Sequence, residues 1–337
     1  MSSTPFRVAT LGIGWWSDVL ADAAGRTGGR VAIASCFTRS ADKREAFADK
    51  YGCASAESLD ELLADDTIDG IINTTPNHVH LETTHAAAEA DKHVFLDKPI
   101  ANTIGEAKAI TKTCADAGVV LAVGYQRRRE SQFRWIKERI DAGEFGALVQ
   151  AEANISRDRE GQFELDHWRY TAAGMPGGVM LQIGLHYVDV LMMLLGPIKS
   201  VSGMASQLVL PGDNPDVGTL LMLHENGAVS SLSTSYASAS EYYLMNVYGK
   251  RMSAYYNLFD GLRALKQGES DHTPVAIDAV DTLAEELIEW ADAAQGGRAP
   301  EVGGDGATQS LAVVMAGIKS VAEGRHIEIA EILASDD

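Results

Sequence analysis

Cysteine is scarce in this chain. Its 337 residues hold three, Cys36, Cys53 and Cys114. They share no metal-type spacing, and an odd count does not suggest a disulfide framework. Long apolar runs are missing too: no stretch approaches the roughly 18 residues that a membrane-spanning helix needs. The first ten residues lack a basic segment followed by an apolar one, so no secretory signal is expected and the cytoplasm is the default compartment. Positive charge is in the minority. Lysine and arginine number 28 against 47 acids, a net charge of −19. Such a surface repels phosphate backbones and anionic lipid, which argues against nucleic-acid and membrane partners. No acid or cysteine completes a metal shell around His78 and His80, so no metal is expected.

What is present is an ordinary globular composition, 46% hydrophobic and 22% charged, in a chain long enough for two domains. Residues 6–123 alternate in a βα rhythm. Phe6–Leu11, Arg30–Phe37, Ile68–Asn73, Val94–Leu96 and Val119–Val123 read as strands. Ser17–Ala24, Ser40–Tyr51 and Ile104–Ala117 read as helices. This predicts an α/β fold with a parallel, doubly wound Rossmann sheet over residues 1–124. After Gly124 the rhythm changes. Helices are expected at Glu130–Ala142, Gly184–Leu195, Asp281–Ala294 and Ala307–Ala322, and Leu148–Ser156 is strand-like. From Ile198 to Asn257, β-branched and aromatic stretches recur between turns, the pattern of a largely antiparallel sheet in a second α/β domain over residues 125–337. The polar stretch Gly261–Thr273 is predicted to be a loop.

The loop Gly12-Ile13-Gly14-Trp15-Trp16-Ser17 sits where the first strand meets the first helix. Glycine lets a phosphate approach the backbone closely, and the N–H groups of a helix N-terminus attract anions. Ser17 replaces the third glycine of the usual dinucleotide pattern but is small enough to let helix pack on strand. The tip of the second strand sets the cofactor. NAD sites carry an acid there for the ribose 2′-hydroxyl. Here the residues are Thr38, Arg39 and Ser40, with no carboxylate. Arginine forms charge-assisted bonds to a 2′-phosphate, and the two hydroxyls add donors. The expected cofactor is therefore NADP rather than NAD.

Three further segments carry chemistry. Thr74–His80 follows the third strand, and Asp97-Lys98-Pro99 follows the fourth. In an open α/β sheet ligands sit beyond these carboxyl ends. The third runs from Gly177-Gly178 through Gln182 and Gly184 to His186, with Asp189 three residues on. Together these resemble the glucose–fructose oxidoreductase and inositol dehydrogenase family over nearly the full length. Asp97-Lys98-Pro99 resembles its Glu-Lys-Pro motif. The glycine pair through His186 resembles its second motif, preceded by a Trp-Arg pair at Trp168-Arg169. Asp305 to Ile327 resembles its closing helix and strand.

The resemblance implies a Rossmann domain followed by a domain with a large open sheet. It also implies an active site in the cleft between them, a last helix packing back near that cleft, and dimers or tetramers built through the sheet. Cofactor contacts are implied for Gly12, Ile13, Gly14, Trp15, Trp16, Thr75, Pro76, Asn77, His80, Asp97, Lys98, Gln126, Trp168 and Arg169. Substrate contacts are implied for Lys98, Tyr125, Arg127, Gln182, His186 and Asp189. Lys98 would hydrogen-bond the reacting oxygen, and His186 would take the hydroxyl proton as hydride leaves the adjoining carbon. Both assignments suit the chemistry: histidine takes and returns protons near neutral pH, and a fixed ammonium stabilises a developing alkoxide.

One position departs from the family. Four residues before His186 it usually has Asp, and this chain has Gln182, which cannot ionise. Asp189 either contacts substrate or orients a neighbour on the same helix face. The run Arg127-Arg128-Arg129 is either a solvated basic stretch or a receiver for an anionic substrate group. The leading expectation is an NADP-dependent dehydrogenase of a sugar, cyclitol or related polyol. A carboxylated cyclic diol is the alternative substrate if the arginine run binds an anion. Glycoside cleavage through transient oxidation by a tightly held NAD expects an acid at the second strand's tip, which is absent. A non-catalytic NADP-binding sensor would need neither Lys98 nor His186.

Overall fold

A computed structural model describes residues 4–161 and 167–335. The chain folds into two compact units, Met1–Gln126 with Asp281–Thr308, and Arg127–Val280 with Gln309–Asp337.

The first unit is built on six parallel strands: β1 (Phe6–Leu11), β2 (Val31–Phe37), β3 (Ala54–Ser55), β4 (Gly70–Asn73), β5 (His93–Asp97) and β6 (Leu121–Gly124), in the order β3-β2-β1-β4-β5-β6. Helices α1 (Trp15–Gly25), α2 (Ala41–Tyr51), α3 (Leu59–Leu63), α4 (His80–Glu89) and α5 (Ile104–Asp116) connect them. The strand order reverses between β1 and β4, the switch point where doubly wound sheets bind ligands. Strands such as β4 are buried along their whole length, as a sheet covered on both faces requires. Helix α4 escaped the sequence reading because its buried face is Thr83, Thr84, Ala87 and Ala88 rather than a stripe of large apolar residues.

The second unit carries α6 (Ser131–Asp141), β7 (Leu148–Asp158), α7 (Leu185–Leu195), β8 (Ile198–Ser206), β9 (Val217–His224), β10 (Val229–Ser235), β11 (Ala237–Gly249), β12 (Met252–Asn257), β13 (Gly261–Lys266), β14 (Thr273–Pro274) and, near the end of the chain, β15 (Ile327–Glu328). They form a nine-stranded sheet, β14-β13-β12-β11-β7-β10-β9-β8-β15, antiparallel except between β7 and β10. A π-helical turn at Met180–Gly184 leads into α7, and both pack on this sheet. Almost every residue of α7 is buried, which is why its sequence is apolar all round.

Two expectations are corrected here. The stretch from Gly261 is not all loop. Gly261–Lys266 pairs residue by residue with β12, and Leu262 is buried beneath it. Its partner lies nearby in sequence, but its polar outward residues masked the alternation. The C-terminal part is also not one continuous body. After β14 come α8 (Thr282–Gly296) and α9 (Gly304–Glu323), and after β15 comes α10 (Ile329–Leu333); α8 belongs to the first unit. Its Leu287, Trp290 and Ala291 join Phe6, Val8, Leu20 and Phe95 in one core. The Trp290 ring stands edge-on to Phe6 at 5.0 Å. At Gly70 a Cβ would lie 2.8 Å from the Trp290 ring, so the strand needs glycine there. Arg26–Asp281 and Arg30–Asp292 ion pairs flank this packing.

Candidate active site

At the end of β1 the backbone turns at Gly12, whose φ of +84° favours glycine. A Cβ here would also meet the Thr75 nitrogen at 2.8 Å. The turn is fastened on both sides. Gly12 N donates to Phe37 O at 3.0 Å, and the Thr74 hydroxyl donates to Gly12 O at 2.7 Å. Gly14 precedes the first turn of α1 in an extended conformation, and a Cβ built on it meets nothing within 4 Å. Ser17 is fully buried. Its hydroxyl accepts from Gly14 N at 2.8 Å and donates to Gly14 O at 2.6 Å. The serine in the third glycine position thus does more than stay small: it locks the loop onto the helix. Trp15 is 69% exposed, whereas Trp16 packs against the core. Open space over Gly14 at a helix N-terminus fits a pyrophosphate.

At the tip of β2, Thr38 is half-buried and Arg39 and Ser40 are exposed. Arg39 has no hydrogen bond or ion pair among the described residues. Arg44 holds the tip from below, donating to Thr38 O and to the Ser55 hydroxyl, each at 3.1 Å. No carboxylate stands at positions 38–40.

The segment after β4 is tied into the fold by internal hydrogen bonds. The Asn73 amide donates to Thr83 Oγ1 at 2.8 Å and its oxygen accepts from the Thr75 hydroxyl at 2.7 Å. Thr75 and Pro76 are half-buried. Asn77 is buried and donates to Asn102 Oδ1 at 3.2 Å. His80, expected at the cofactor, is 0% exposed. Its Nε2 lies 2.8 Å from Thr75 O, and its Nδ1 lies 3.0 Å from Pro99 O and 3.3 Å from Ile100 O. Both ring nitrogens therefore face backbone carbonyls. Burial pushes the pKa of His80 down, against the pull of the Thr75 carbonyl and of Asp97. The ring sits between the loop after β4 and the end of β5, where Asp97 closes the strand and Lys98 follows it, both half-buried. Tyr125 is buried just after β6, and Gln126 begins the turn that follows.

In the second unit, His186 lies in the first turn of α7, 6% exposed. Gln182 stands in the π-helical turn before it, half-buried. Asp189 is 2% exposed and takes a two-pronged bond from Arg128, Nε to Oδ2 at 2.8 Å and Nη2 to Oδ1 at 2.5 Å. Of the two roles open to Asp189, this geometry favours orienting. Tyr187, next to His186, is fully buried, and burial holds its phenol well above the usual range. Arg169 lies 4.3 Å over the Trp168 ring.

The arginine run is not a solvated stretch. Arg127 donates to Glu130 at 2.7 Å and lies 4.5 Å over the Tyr243 ring, with Gln132 completing the Glu130 carboxylate. Burial alone would lower the pKa of Arg127, but the facing Glu130 charge holds it raised. Arg127 and Arg128 each already face a carboxylate, so neither is poised for an anionic substrate group. Nothing local in the sequence revealed the Arg128–Asp189 pair, because its members are 61 residues apart. Among the described residues no cluster of His, Cys, Asp or Glu is arranged to hold a metal, and no helix is long and apolar enough to cross a membrane.

A parallel sheet with a glycine turn at its switch point, followed by an α/β domain with a large open sheet, defines an NAD(P)-dependent oxidoreductase. Comparison with known families agrees. Residues 6–125 match the model of the oxidoreductase family with an NAD-binding Rossmann fold, and residues 133–255 match the GFO/IDH/MocA C-terminal domain. The chain belongs to the GFO/IDH/MocA family of oxidoreductases, whose members include enzymes of sugars and polyols. It is 28% identical over 320 residues to a 1,5-anhydro-D-fructose reductase of Ensifer adhaerens, covering 90% of this chain and 92% of the other. It is 33% identical over 144 residues to the NAD(+)-dependent scyllo-inositol 2-dehydrogenase of Bacillus subtilis, 42% of this chain and 40% of that one. A crystal structure from Desulfitobacterium hafniense, carrying the provisional name of NADPH-dependent oxidoreductase, superposes with a TM-score of 0.94 at 32% identity, covering 98% of this chain and all of that one.

Proposed function

We propose that this protein transfers a hydride between NADP and a carbinol carbon of a sugar, cyclitol or related polyol. The observation that carries the choice of NADP is the tip of β2, where Arg39 is exposed between two hydroxyl residues and no acid stands. An acid there would repel a 2′-phosphate, and a guanidinium binds one. The provisional name of the Desulfitobacterium structure points the same way, and the NAD(+) dependence of the Bacillus relative points the other. The electrostatics of this chain's own loop favour NADP.

The bound nicotinamide supplies the hydride acceptor or donor. Gly12, Gly14 and the start of α1 hold the pyrophosphate, with Thr38, Arg39 and Ser40 at the far phosphate. Lys98 donates to the reacting oxygen and stabilises its alkoxide character. His186 accepts the hydroxyl proton during oxidation and returns it during reduction. Gln182, which cannot ionise, holds a substrate hydroxyl and leaves the proton to His186.

Fluorescence titration with NADPH and NADH tests the cofactor. NADPH should bind more tightly, and Arg39→Ala should weaken it by about tenfold or more, the scale of a lost charge-assisted bond, with NADH little changed. Equal losses for both cofactors would remove the assignment.

A further inference from the structure

We propose that Arg44 is a second cation for the NADP 2′-phosphate, its guanidinium fixed beside the tip of β2 by Ser55 and the Thr38 carbonyl so that its charge is left to the cofactor. The proposal rests on the NADP reading above. It adds a specificity-determining residue, Arg44, and a positioning residue, Ser55.

Arg44 lies near the start of α2 and is half-buried. Its Nε donates to Ser55 Oγ on β3, and its Nη1 donates to Thr38 O, each at 3.1 Å. Its Nη2 makes no hydrogen bond among the described residues. Two anchors on different nitrogens fix the plane of the fork. Thr38 stands at the far phosphate in the reading above, so the fork is one hydrogen bond away from that site.

Both anchors are neutral. A carbonyl and a hydroxyl orient a guanidinium without cancelling its charge. Carboxylates do the cancelling elsewhere in the chain, as at Arg26–Asp281, Arg30–Asp292 and Arg127–Glu130. Arg44 has no carboxylate within ion-pair distance among the described residues, and neither have Arg39 and Lys43. Asp42 and Glu45 lie exposed between and beside them and pair with none of the three. These neighbouring cations stay unmatched in a chain whose net charge is −19. Like charges held close raise one another's energy, and an anion among them relieves it. A phosphate monoester brings three acceptor oxygens and close to two negative charges at neutral pH, more than Arg39 alone balances. The 2′-hydroxyl of NAD brings no charge, so Arg44 discriminates between the two cofactors.

Titrations of the full-length protein test this. NADPH is compared with NADH, and 2′,5′-ADP with 5′-AMP, the second pair separating the 2′-phosphate from the nicotinamide. Arg44→Gln should weaken NADPH and 2′,5′-ADP by about tenfold or more, the scale of a hydrogen bond to a charged group, with NADH and 5′-AMP little changed. Arg44→Lys, which keeps the charge and loses the fork, should recover part of the loss. Ser55→Ala, which keeps the charge and frees the fork, should weaken NADPH by about threefold, the scale of one neutral hydrogen bond, and spare NADH. NADPH affinity unchanged in Arg44→Gln would overturn the proposal. So would equal losses of NADPH and NADH, which would make Arg44 a prop of the fold. If Arg44→Gln does not fold, Arg44→Lys and Ser55→Ala decide, and unchanged NADPH affinity in both overturns the proposal. NADPH preference that is lost in Arg39→Ala but kept in Arg44→Gln removes Arg44 and leaves the NADP reading standing. Wild-type protein that binds NADH as tightly as NADPH sinks that reading itself, and this inference with it.

Discussion

At the scale of single residues, the proposed chemistry rests on two groups held in place by others. Lys98 sits on a loop whose Pro99 and Ile100 carbonyls are pinned by the His80 ring. His186 sits one helical turn before Asp189, whose carboxylate is locked by Arg128. Removing either group should spare the cofactor loop, since Gly12, Gly14 and Ser17 are fastened independently of both. Lys98→Ala and His186→Ala should each lower kcat by about a hundredfold or more, the usual loss on deleting a group that handles a proton or a developing charge. NADP affinity should stay within a few-fold of wild type. Steady-state kinetics on any turned-over substrate will check this, and activity near the wild-type level in either variant strikes that residue from the mechanism.

At the scale of elements, how much the sequence disclosed depended on whether the signal was local. Strands β1, β2, β4, β5 and β6 read clearly because buried parallel strands are short apolar runs. The glycine loop and the Asp97-Lys98-Pro99 segment read clearly because their place after strands is itself the evidence. Helix α4 did not, because threonine and alanine make its buried face. Arg159, Asn214 and Asp216 belong to no motif, and only folding brings them to one pocket. Helix α8 is the instructive case. Its periodicity announces a buried face but does not say what buries it, and the answer is the first unit's sheet, whose last strand ends at Gly124. This makes Trp290 a test of the domain assignment. Trp290→Ala should destabilise the first unit by about 3–5 kcal/mol, as for other fully buried aromatics. Trp290→Phe should cost much less, because the indole N–H it discards has no acceptor among the described residues. Urea denaturation measures both, and a loss under about 1 kcal/mol in the alanine variant would mean that α8 is not part of that core.

At the scale of the whole molecule, each unit holds a histidine that favours the neutral form, the half-buried His93 in the first and the buried His224 in the second. In the first, His93 Nδ1 accepts the Val120 N–H at 3.0 Å, a role only an unprotonated nitrogen fills. In the second, His224 sits with Nδ1 2.8 Å from Gly196 O and Nε2 2.8 Å from the Ser230 hydroxyl, an arrangement a neutral ring satisfies by donating from the first and accepting at the second. Burial lowers the pKa of both, as it does that of His80. An unfolded histidine takes up its proton near pH 6.5, and the folded ones refuse it until lower pH. Below about pH 6.5 the unfolded chain therefore binds more protons, and stability falls as pH falls, by at most about 1.4 kcal/mol per pH unit for each such histidine. One effect opposes this. The chain carries −19, and acidification toward its isoelectric point near 4.8 relieves repulsion. That repulsion acts between exposed charges, which salt at 0.15 M screens beyond about 8 Å, whereas buried and half-buried histidines are screened less. At physiological salt the histidines should win, and Tm should fall between pH 7.5 and pH 5.5. At low salt the fall should shrink, because repulsion then counts for more. A Tm that rises on acidification at 0.15 M salt would show that surface charge, not the buried rings, governs the stability of this protein.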